Sequence, residues 1–242
     1  MAIDKPILHQ YRVSPFAAKI RRVMYYKQIA FDTVDYGISG AGKIKKINPR
    51  GKAPILEHAG KFIADSTDIV AYLDALDSSK PLTPTDPLLQ AQMHILEDWA
   101  DESLYFYDLT MRCWPHNAGL LADDLLMDDK GLLVKVLRPM IGKIIGKQAS
   151  AQGIGRKEPA AVCAEVAKHF AAINTVVSAH EFLLGDALSI ADISVVSMCT
   201  VLERAQEANA LMLELPALMA WRERVDLLTL PAGTAADQKA LV

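Results

Sequence analysis

The sequence predicts an α/β domain over residues 1–80 and an all-helical domain over residues 88–242. Before residue 78, short strand-like runs alternate with amphipathic helical patterns. After residue 87, the helical periodicity continues and strand alternation is absent. The segment 78–87 has three prolines within seven residues, which cannot continue a helix and therefore predict a linker.

The first part predicts the element order strand, helix, strand, followed by strand, strand, helix (βαβ-ββα). Its Gly- and Lys-rich segment from Gly37 to Lys46 predicts a loop, and His58-Ala59-Gly60 predicts a hairpin turn. Apolar runs mark the strands, and apolar residues at helical spacing mark the helices. The predicted strands are Ile7–Val13, Phe31–Asp35, Ala53–Glu57 and Lys61–Ile63, and the predicted helices are Pro15–Gln28 and Ser66–Leu76.

The second part predicts helices and, from Leu230 onward, an extended or frayed tail. Ser189-Ile190-Ala191-Asp192 is a capping box, and the flanking Leu188 and Ile193 are placed to form its hydrophobic staple. Ser189 and Asp192 therefore have a predicted structural role. The predicted helices are Leu88–Arg112, Leu132–Ala149, Pro159–Ser178, Ile190–Ala208 and Leu218–Val225.

The composition is apolar for a water-soluble chain, with 51% hydrophobic residues and a mean hydropathy of +0.15. A membrane span needs about 20 largely apolar residues. Ile193–Val201 is too short, and Leu132–Ile145 is interrupted by two charged residues and a proline. Met1–Lys5 is polar and precedes no apolar signal core. We therefore expect no membrane span and a cytoplasmic protein.

The cysteines and histidines give no indication of a metal or dithiol site. Cys113, Cys163 and Cys199 lie far apart and form no CxxC motif, which is consistent with a reducing compartment. The six histidines form no HxxxH pair. We expect no metal.

Charge is distributed unevenly along the chain. Residues 1–85 carry 13 Lys and Arg against 8 Asp and Glu, whereas residues 86–242 carry 13 against 21. The basic first part could attract a small anion, although drift in surface charge would give the same asymmetry. It lacks the clustered basic face that nucleic-acid binding usually requires, so we expect no nucleic-acid partner.

Three local features could bind a small peptide-like anion. Ser14 precedes Pro15 at a helix start, where its hydroxyl and the helix dipole would favour a thiolate. Ala53, before Pro54, could offer its backbone to an extended ligand if their peptide bond is cis. Asp65 and Ser66 open a helix whose N–H groups could bind a carboxylate. Plain helix caps and a trans proline at a strand start are the structural alternatives.

These features occur in an order that resembles the cytosolic glutathione transferase superfamily over nearly the whole chain. Ser14–Arg21 is similar to its serine-type active-site segment. Asn48–Leu56 is similar to the loop and cis-proline strand of its thioredoxin-like domain. Asp65–Ile69 resembles the segment that holds the γ-glutamyl group, and Ser189–Asp192 resembles the capping box of the helical domain. Gly153–Arg156 resembles a segment of metaxin-like and fax-like relatives, and the overall layout is also similar to bacterial β-aryl etherases.

The resemblance implies roles for individual residues in binding glutathione as co-substrate. Ser14 would hydrogen-bond the glutathione sulfur, and Ala53 beside cis Pro54 would pair with the cysteinyl backbone. Asp65 and Ser66 would bind the γ-glutamyl end, and Lys52 would touch the glycyl carboxylate.

The residues that tyrosine-type and cysteine-type relatives use for catalysis are absent or poorly placed. Gln10 occupies the place of the catalytic tyrosine, and Tyr11 beside it is a candidate that strand alternation would turn away. A serine at position 14 disfavours a cysteine-type deglutathionylating enzyme. For the electrophile pocket the candidates are Tyr105, Arg112 and Trp114, although the tyrosine is also a candidate core or dimer contact.

The resemblance implies a glutathione S-transferase that activates the thiol for attack on a hydrophobic electrophile, and a homodimer. The alternatives are a non-catalytic interaction or ligand-carrier module of the same fold, and a glutathione-dependent isomerase or ether-cleaving enzyme.

Overall fold

A computed structural model describes residues 5–234 of the chain. The N-terminal domain has the thioredoxin-like arrangement that the sequence predicts. Its four-stranded sheet has the order β2-β1-β3-β4, in which β1 is parallel to β2 and antiparallel to β3. The elements are β1 (Ile7–Gln10), α1 (Pro15–Tyr26), β2 (Asp32–Asp35), α2 (Ala41–Ile47), β3 (Ile55–His58), β4 (Lys61–Ile63) and α3 (Ser66–Leu76).

One predicted loop of this domain is wrong. The segment Gly37–Lys46 contains a 3₁₀ turn at Ile38–Gly40 and most of helix α2. Its glycines and lysines are weak local signals, whereas Ile44 is completely buried and fixes the helix against the rest of the domain. The predicted strand Ile7–Val13 is also shorter, because β1 ends at Gln10.

The C-terminal domain is helical, as predicted. Between α3 and α4, residues 77–86 contain neither helix nor strand. The helices are α4 (Pro87–Trp99), α5 (Tyr105–Arg112), α6 (Ala118–Leu125), α7 (Leu132–Leu137), α8 (Ile141–Gln152), α9 (Pro159–Ala179), α10 (Ile190–Leu202), α11 (Gln206–Leu213) and α12 (Pro216–Thr229).

Most helical regions of this domain were predicted correctly, but the turns that divide them into separate helices were not. The predicted helix Leu88–Arg112 is α4 and α5 joined by one π-helical turn at Ala100–Leu104. The predicted helix Leu132–Ala149 is broken by a 3₁₀ turn at Arg138–Met140, which contains a proline. The predicted helix Ile190–Ala208 also spans two helices, because it covers all of α10 and the first three residues of α11. Helix α6 was not predicted. The predicted tail is described only to residue 234, and the rest lies outside the described residues.

The capping box at the start of α10 is confirmed. The buried Asp192 carboxylate accepts hydrogen bonds from the Ser189 N–H at 3.0 Å and the Ser189 hydroxyl at 2.8 Å. It also accepts from the Leu183 N–H at 2.8 Å and from Trp221 Nε1 at 2.9 Å. One carboxylate thus fixes the helix start, the preceding loop and helix α12.

Several contacts join the two domains. Helix α1 packs against α10, and its buried Arg22 forms an ion pair with Asp226 of α12 at 2.8 Å. The Asp129 carboxylate of the helical domain accepts from the backbone N–H of Ile38 at 2.7 Å and Ser39 at 3.0 Å. A Cβ atom at Gly37 would lie 2.5 Å from an Asp129 carboxylate oxygen, so this approach requires glycine.

Helix α9 is long and apolar enough, by length and composition, to cross a membrane. One face of α9 is buried in the core, with Val162, Val166 and Phe170 fully covered. Its remaining surface carries Glu165 and Lys168. A core helix of a globular domain meets the same criteria, so α9 is weak evidence for a membrane span.

Candidate active site

A cavity of about 910 Å³ is lined by both domains. Its N-terminal wall is formed by the start of α1, the loop before β3 and the start of α3. Its C-terminal wall is formed by α4, the π-helical turn, α5, α6 and α8. Of the predicted site residues, the lining includes Tyr11, Ser14, Lys52, Ala53, Pro54, Asp65, Ser66, Tyr105 and Arg112.

Ser14 is the N-cap residue of α1 and lines the cavity. Its Oγ accepts a hydrogen bond from the Ala17 N–H, with 3.4 Å between the two atoms. The hydroxyl proton is therefore available to a ligand, beside the positive end of the helix dipole. An anion bound at this point would be stabilised by both groups.

Ala53 and Pro54 line the cavity just before β3, and the peptide bond between them is cis. The preceding loop is held by Asn48, whose Nδ2 donates to the Lys52 carbonyl at 2.8 Å. Asn48 Oδ1 accepts from the Arg50 N–H at 3.1 Å. Asn48 is thus a structural determinant of the site, a role that the similarity of the segment Asn48–Leu56 to the family's loop did not assign to it. It fixes the loop that places Arg50 and Lys52 at the cavity.

Asp65 and Ser66 lie at the start of α3. The Asp65 carboxylate caps the helix by accepting from the Thr67 N–H at 3.0 Å. Ser66 is buried. The Thr67 hydroxyl donates to Glu97 of α4 at 3.2 Å, which ties this helix start to the opposite wall. The site therefore places a negative charge at a helix N-terminus, and the two together suit a zwitterionic head group.

A buried charge cluster links α1 to the C-terminal wall. The Lys19 ammonium contacts Glu97 Oε1 at 3.0 Å and Asp101 Oδ2 at 2.8 Å. The Lys19 side chain is only 1% exposed. Burial is the main cause that raises the pKa of Asp101. Both carboxylates line the cavity, and sequence reasoning missed all three residues because the lysine looked like part of an ordinary helix.

The opposite end of the cavity is largely apolar. Phe16 and Tyr105 meet edge to face, with ring centroids 5.0 Å apart, and Leu121, Leu125 and Ile145 contribute aliphatic surface. Burial raises the pKa of Tyr105 to about 12, so its hydroxyl stays protonated at neutral pH. An apolar molecule with few polar groups fits this end.

Arg112 lines this end but is already paired. It is buried, and its guanidinium contacts Asp124 at 2.5 Å and Asp108 at 3.8 Å. Burial raises the pKa of Asp108 to about 6. Arg112 therefore supports the wall of the cavity through these two carboxylates.

The structure places Tyr11 and Trp114 differently from what the sequence led us to expect. Because β1 ends at Gln10, strand alternation does not extend to Tyr11, which lines the cavity. Burial, and to a smaller extent Asp129, raises the pKa of Tyr11. Trp114 follows the end of α5 and lines a smaller depression of about 430 Å³ beside Cys113. It is not among the residues that line the main cavity.

Within residues 5–234, no group of three or more His, Cys, Asp or Glu side chains is arranged to hold a metal ion.

Comparison with known proteins connects this geometry to a family. The glutathione S-transferase N-terminal domain matches residues 8–81, and the glutathione S-transferase C-terminal domain matches residues 133–226. The chain belongs to the glutathione S-transferase family. Family members use glutathione, so the cavity is the candidate glutathione-dependent site of this family member.

Three curated relatives illustrate the range of the family. Protein LigF of Sphingobium sp. strain SYK-6 is 34% identical over 104 residues, which cover 42% of this chain and 37% of that protein. A glutathione S-transferase of Pseudomonas putida is 30% identical over 89 residues, 37% of this chain and 40% of that protein. A probable maleylacetoacetate isomerase of Caenorhabditis elegans is 33% identical over 94 residues, 38% and 44% respectively. The chain thus spans less than half the length of these relatives.

Solved structures share the fold over almost the whole chain. The β-etherase LigF of Sphingobium sp. strain SYK-6 has a TM-score of 0.67 and 23% identity, covering 97% of this chain and 98% of that one. A glutathione transferase homologue of Drosophila mojavensis, solved with bound glutathione, has a TM-score of 0.65 and 21% identity. The latter alignment covers 98% of this chain and 95% of the other.

Proposed function

We propose that this protein binds glutathione in the interdomain cavity and activates its thiol for attack on an apolar electrophile. The observation that carries the proposal is the convergence of three separate segments on one cavity. The N-cap Ser14, the Ala53-Pro54 segment and the Asp65-Ser66 helix start all line it. Fold membership alone would not require all three to be present.

The proposed binding mode follows from the charges of these groups. Asp65 and the N–H groups at the start of α3 bind the ammonium and carboxylate of the γ-glutamyl end, with the Ser66 hydroxyl as a further partner. The Ala53 backbone pairs with the cysteinyl residue as an added strand would. Lys52 neutralises the glycyl carboxylate.

Ser14 is the proposed activating residue. A hydroxyl that donates to the sulfur stabilises the thiolate over the thiol, and the α1 dipole acts in the same direction. A free cysteine thiol has a pKa of about 8.5, so a depression of one to two units makes the thiolate predominant at neutral pH. The bound thiolate then attacks an electrophile held at the apolar end beside Phe16 and Tyr105.

The substitution Ser14→Ala tests this role directly. We expect the pKa of bound glutathione, followed by thiolate absorbance, to rise by about one unit or more, with little change in affinity. Ser178→Ala, at an exposed position of α9, is the matched control and should leave the thiol pKa unchanged. If the thiol pKa is the same in wild type and Ser14→Ala, the assignment is wrong, and Tyr11→Phe tests the other hydroxyl at the site.

Cleavage of an aryl ether, in which the thiolate forms a C–S bond and displaces the aryloxide, is the second candidate reaction, favoured by the similarity to LigF, whose solved structure is described as a β-etherase. Isomerisation is a third, suggested by the relative named as a probable maleylacetoacetate isomerase. A substrate panel with a chloroarene, a β-aryl ether and a cis-dienoate separates conjugation, ether cleavage and isomerisation by their products. Activity with none of these, together with no retention on immobilised glutathione, would favour a non-catalytic module.

We further propose that the protein is a cytoplasmic homodimer, with the domain boundary at residues 78–87. The family fold supports this assembly. Sedimentation velocity of the full chain would test the dimer: a single species at the monomer mass would contradict it.

A further inference from the structure

The helices α7 and α8 present an exposed apolar surface. Five large apolar side chains in these two helices and the turn between them are at least 38% exposed. Leu132 is 76% exposed, Val136 53%, Met140 49%, Ile144 46% and Leu133 38%. Other apolar side chains of the same helices, such as Val134 and Leu137, pack inward against a small core. The exposed set is therefore the outer side of two consecutive helices that are otherwise normally packed, and such apolar patches usually mark a binding surface.

The same segment is an island of positive charge in an acidic domain. Residues 130–157 contain 7 Lys and Arg and no Asp or Glu. The other residues of 86–242 carry 6 basic and 21 acidic side chains. Arg138 pairs with Asp123, whereas Lys135, Lys143 and Lys147 form no salt bridge with any residue in 5–234. These lysines are exposed and their charge is available to a partner.

Helical spacing places the lysines among the apolar side chains. On α7, Leu132, Lys135 and Val136 are three and four residues apart, so they share one face. On α8, Lys147 lies three residues after Ile144 and four residues after Lys143, so it neighbours both on the helix surface. We call this outer face, with Met140 between the two helices, the α7–α8 surface.

We propose that the α7–α8 surface docks the protein peripherally on an anionic lipid bilayer. The apolar side chains would enter the boundary between headgroups and acyl chains, while the lysines contact lipid phosphates. Basic charge alone would also suit nucleic acid, but five exposed aliphatic side chains would then remain in water. The pairing of aliphatic and cationic groups on one face is complementary to a bilayer surface that is both apolar and anionic.

The position of α8 connects this surface to the cavity. Ile145 and Gln148 of α8 line the apolar end of the cavity, while Ile144 and Lys147 face outward. Docking would thus place the cavity close to molecules dissolved in the bilayer. The docking itself does not depend on the proposed glutathione chemistry and can be tested without substrate.

The test is co-sedimentation of the full chain with phosphatidylcholine vesicles, with and without phosphatidylglycerol. We expect binding only to the anionic vesicles and a decrease as salt is raised. Lys135→Gln with Lys143→Gln should weaken binding about 30-fold, since each lysine near an anionic membrane contributes roughly fivefold. The matched control, Lys45→Gln with Lys46→Gln on exposed α2, should change it less than about twofold.

A second pair of variants tests the apolar contribution. Leu132→Ser with Val136→Ser should weaken vesicle binding about tenfold or more, whereas Leu213→Ser with Leu227→Ser, equally exposed elsewhere, should not. Circular dichroism establishes that each variant is folded. The proposal is overturned by absence of binding, by equal binding to neutral vesicles, or by equal losses in test and control variants. It is also overturned if these substitutions instead abolish self-association in sedimentation velocity.

Discussion

Replacing Lys19 with methionine should destabilise the protein strongly and in a pH-dependent way. The lysine side chain is 1% exposed, and its partners Glu97 and Asp101 are 7% and 15% exposed. Lys19→Met keeps a similar volume but leaves two neighbouring carboxylates without their cation. Breaking a buried ion pair from one side costs about 3–5 kcal/mol. In a chain of this length that corresponds to a decrease in Tm of about 10 °C.

The pH dependence follows from the proton that the variant must take up. Burial already raises the pKa of Asp101, and loss of the lysine raises that pKa further. A carboxyl whose pKa is higher in the folded state stabilises that state as pH falls, and this stabilisation is lost as pH rises. The difference from wild type should therefore be larger at about pH 8 than at about pH 5.

Urea unfolding at both pH values measures this effect, and two controls identify its cause. Lys5→Met removes one side of an exposed pair with Asp32 and should cost about 0–1 kcal/mol. Lys19→Met combined with Glu97→Gln and Asp101→Asn removes the whole cluster and should recover most of the lost stability. The reasoning is refuted if Lys19→Met costs no more than Lys5→Met, or if neutralising the carboxylates recovers nothing.

Three further substitutions or modifications have defined outcomes. Asp192→Ala leaves four buried donors without their acceptor and should lower the free energy of unfolding in urea by about 4 kcal/mol. A decrease of only about 1 kcal/mol would contradict this role of the carboxylate. Gly155→Ala would bring its Cβ to 2.7 Å from the backbone of α8 and should lower the free energy of unfolding by about 2 kcal/mol. Gly42→Ala meets open space in α2 and should raise the free energy of unfolding by up to about 1 kcal/mol in the same urea measurement. Cys199 is fully buried, and burial raises the pKa of its thiol to about 12. Iodoacetamide should therefore label the partly exposed Cys163 but not Cys199 in the folded protein, which peptide mapping would detect.

The helix starts of the site were predictable because their signals are local. Ser14 before Pro15, and the capping residue Asp65, each reveal a helix start within a few residues. Ser189 and Asp192 do the same for α10. Ser14 and Asp65 lie in the N-terminal wall of the cavity, which is why that wall could be predicted in detail.

The opposite wall depends on contacts that have no local signal. The partners of Lys19 lie 78 and 82 residues away, and no spacing rule connects them. Helix α6 buries Leu121 and Ala122 in a small core, and its N-cap residue Asn117 makes no side-chain capping hydrogen bond. The family resemblance suggested Trp114 for the electrophile pocket because it lies near the end of the predicted helix Leu88–Arg112, but in the structure it lines the separate depression beside Cys113.

The close approach of Asp129 to Gly37 couples the substitutions that evolution can accept at these two distant positions. The carboxylate replaces the missing partners of two backbone N–H groups, and the absence of a side chain at position 37 leaves it room. A larger residue at position 37 would require the side chain at position 129 to be shorter or to move away, and the two N–H groups would then need another acceptor. Sequences descended from this one should therefore retain or change both positions together, although 92 places along the chain separate them.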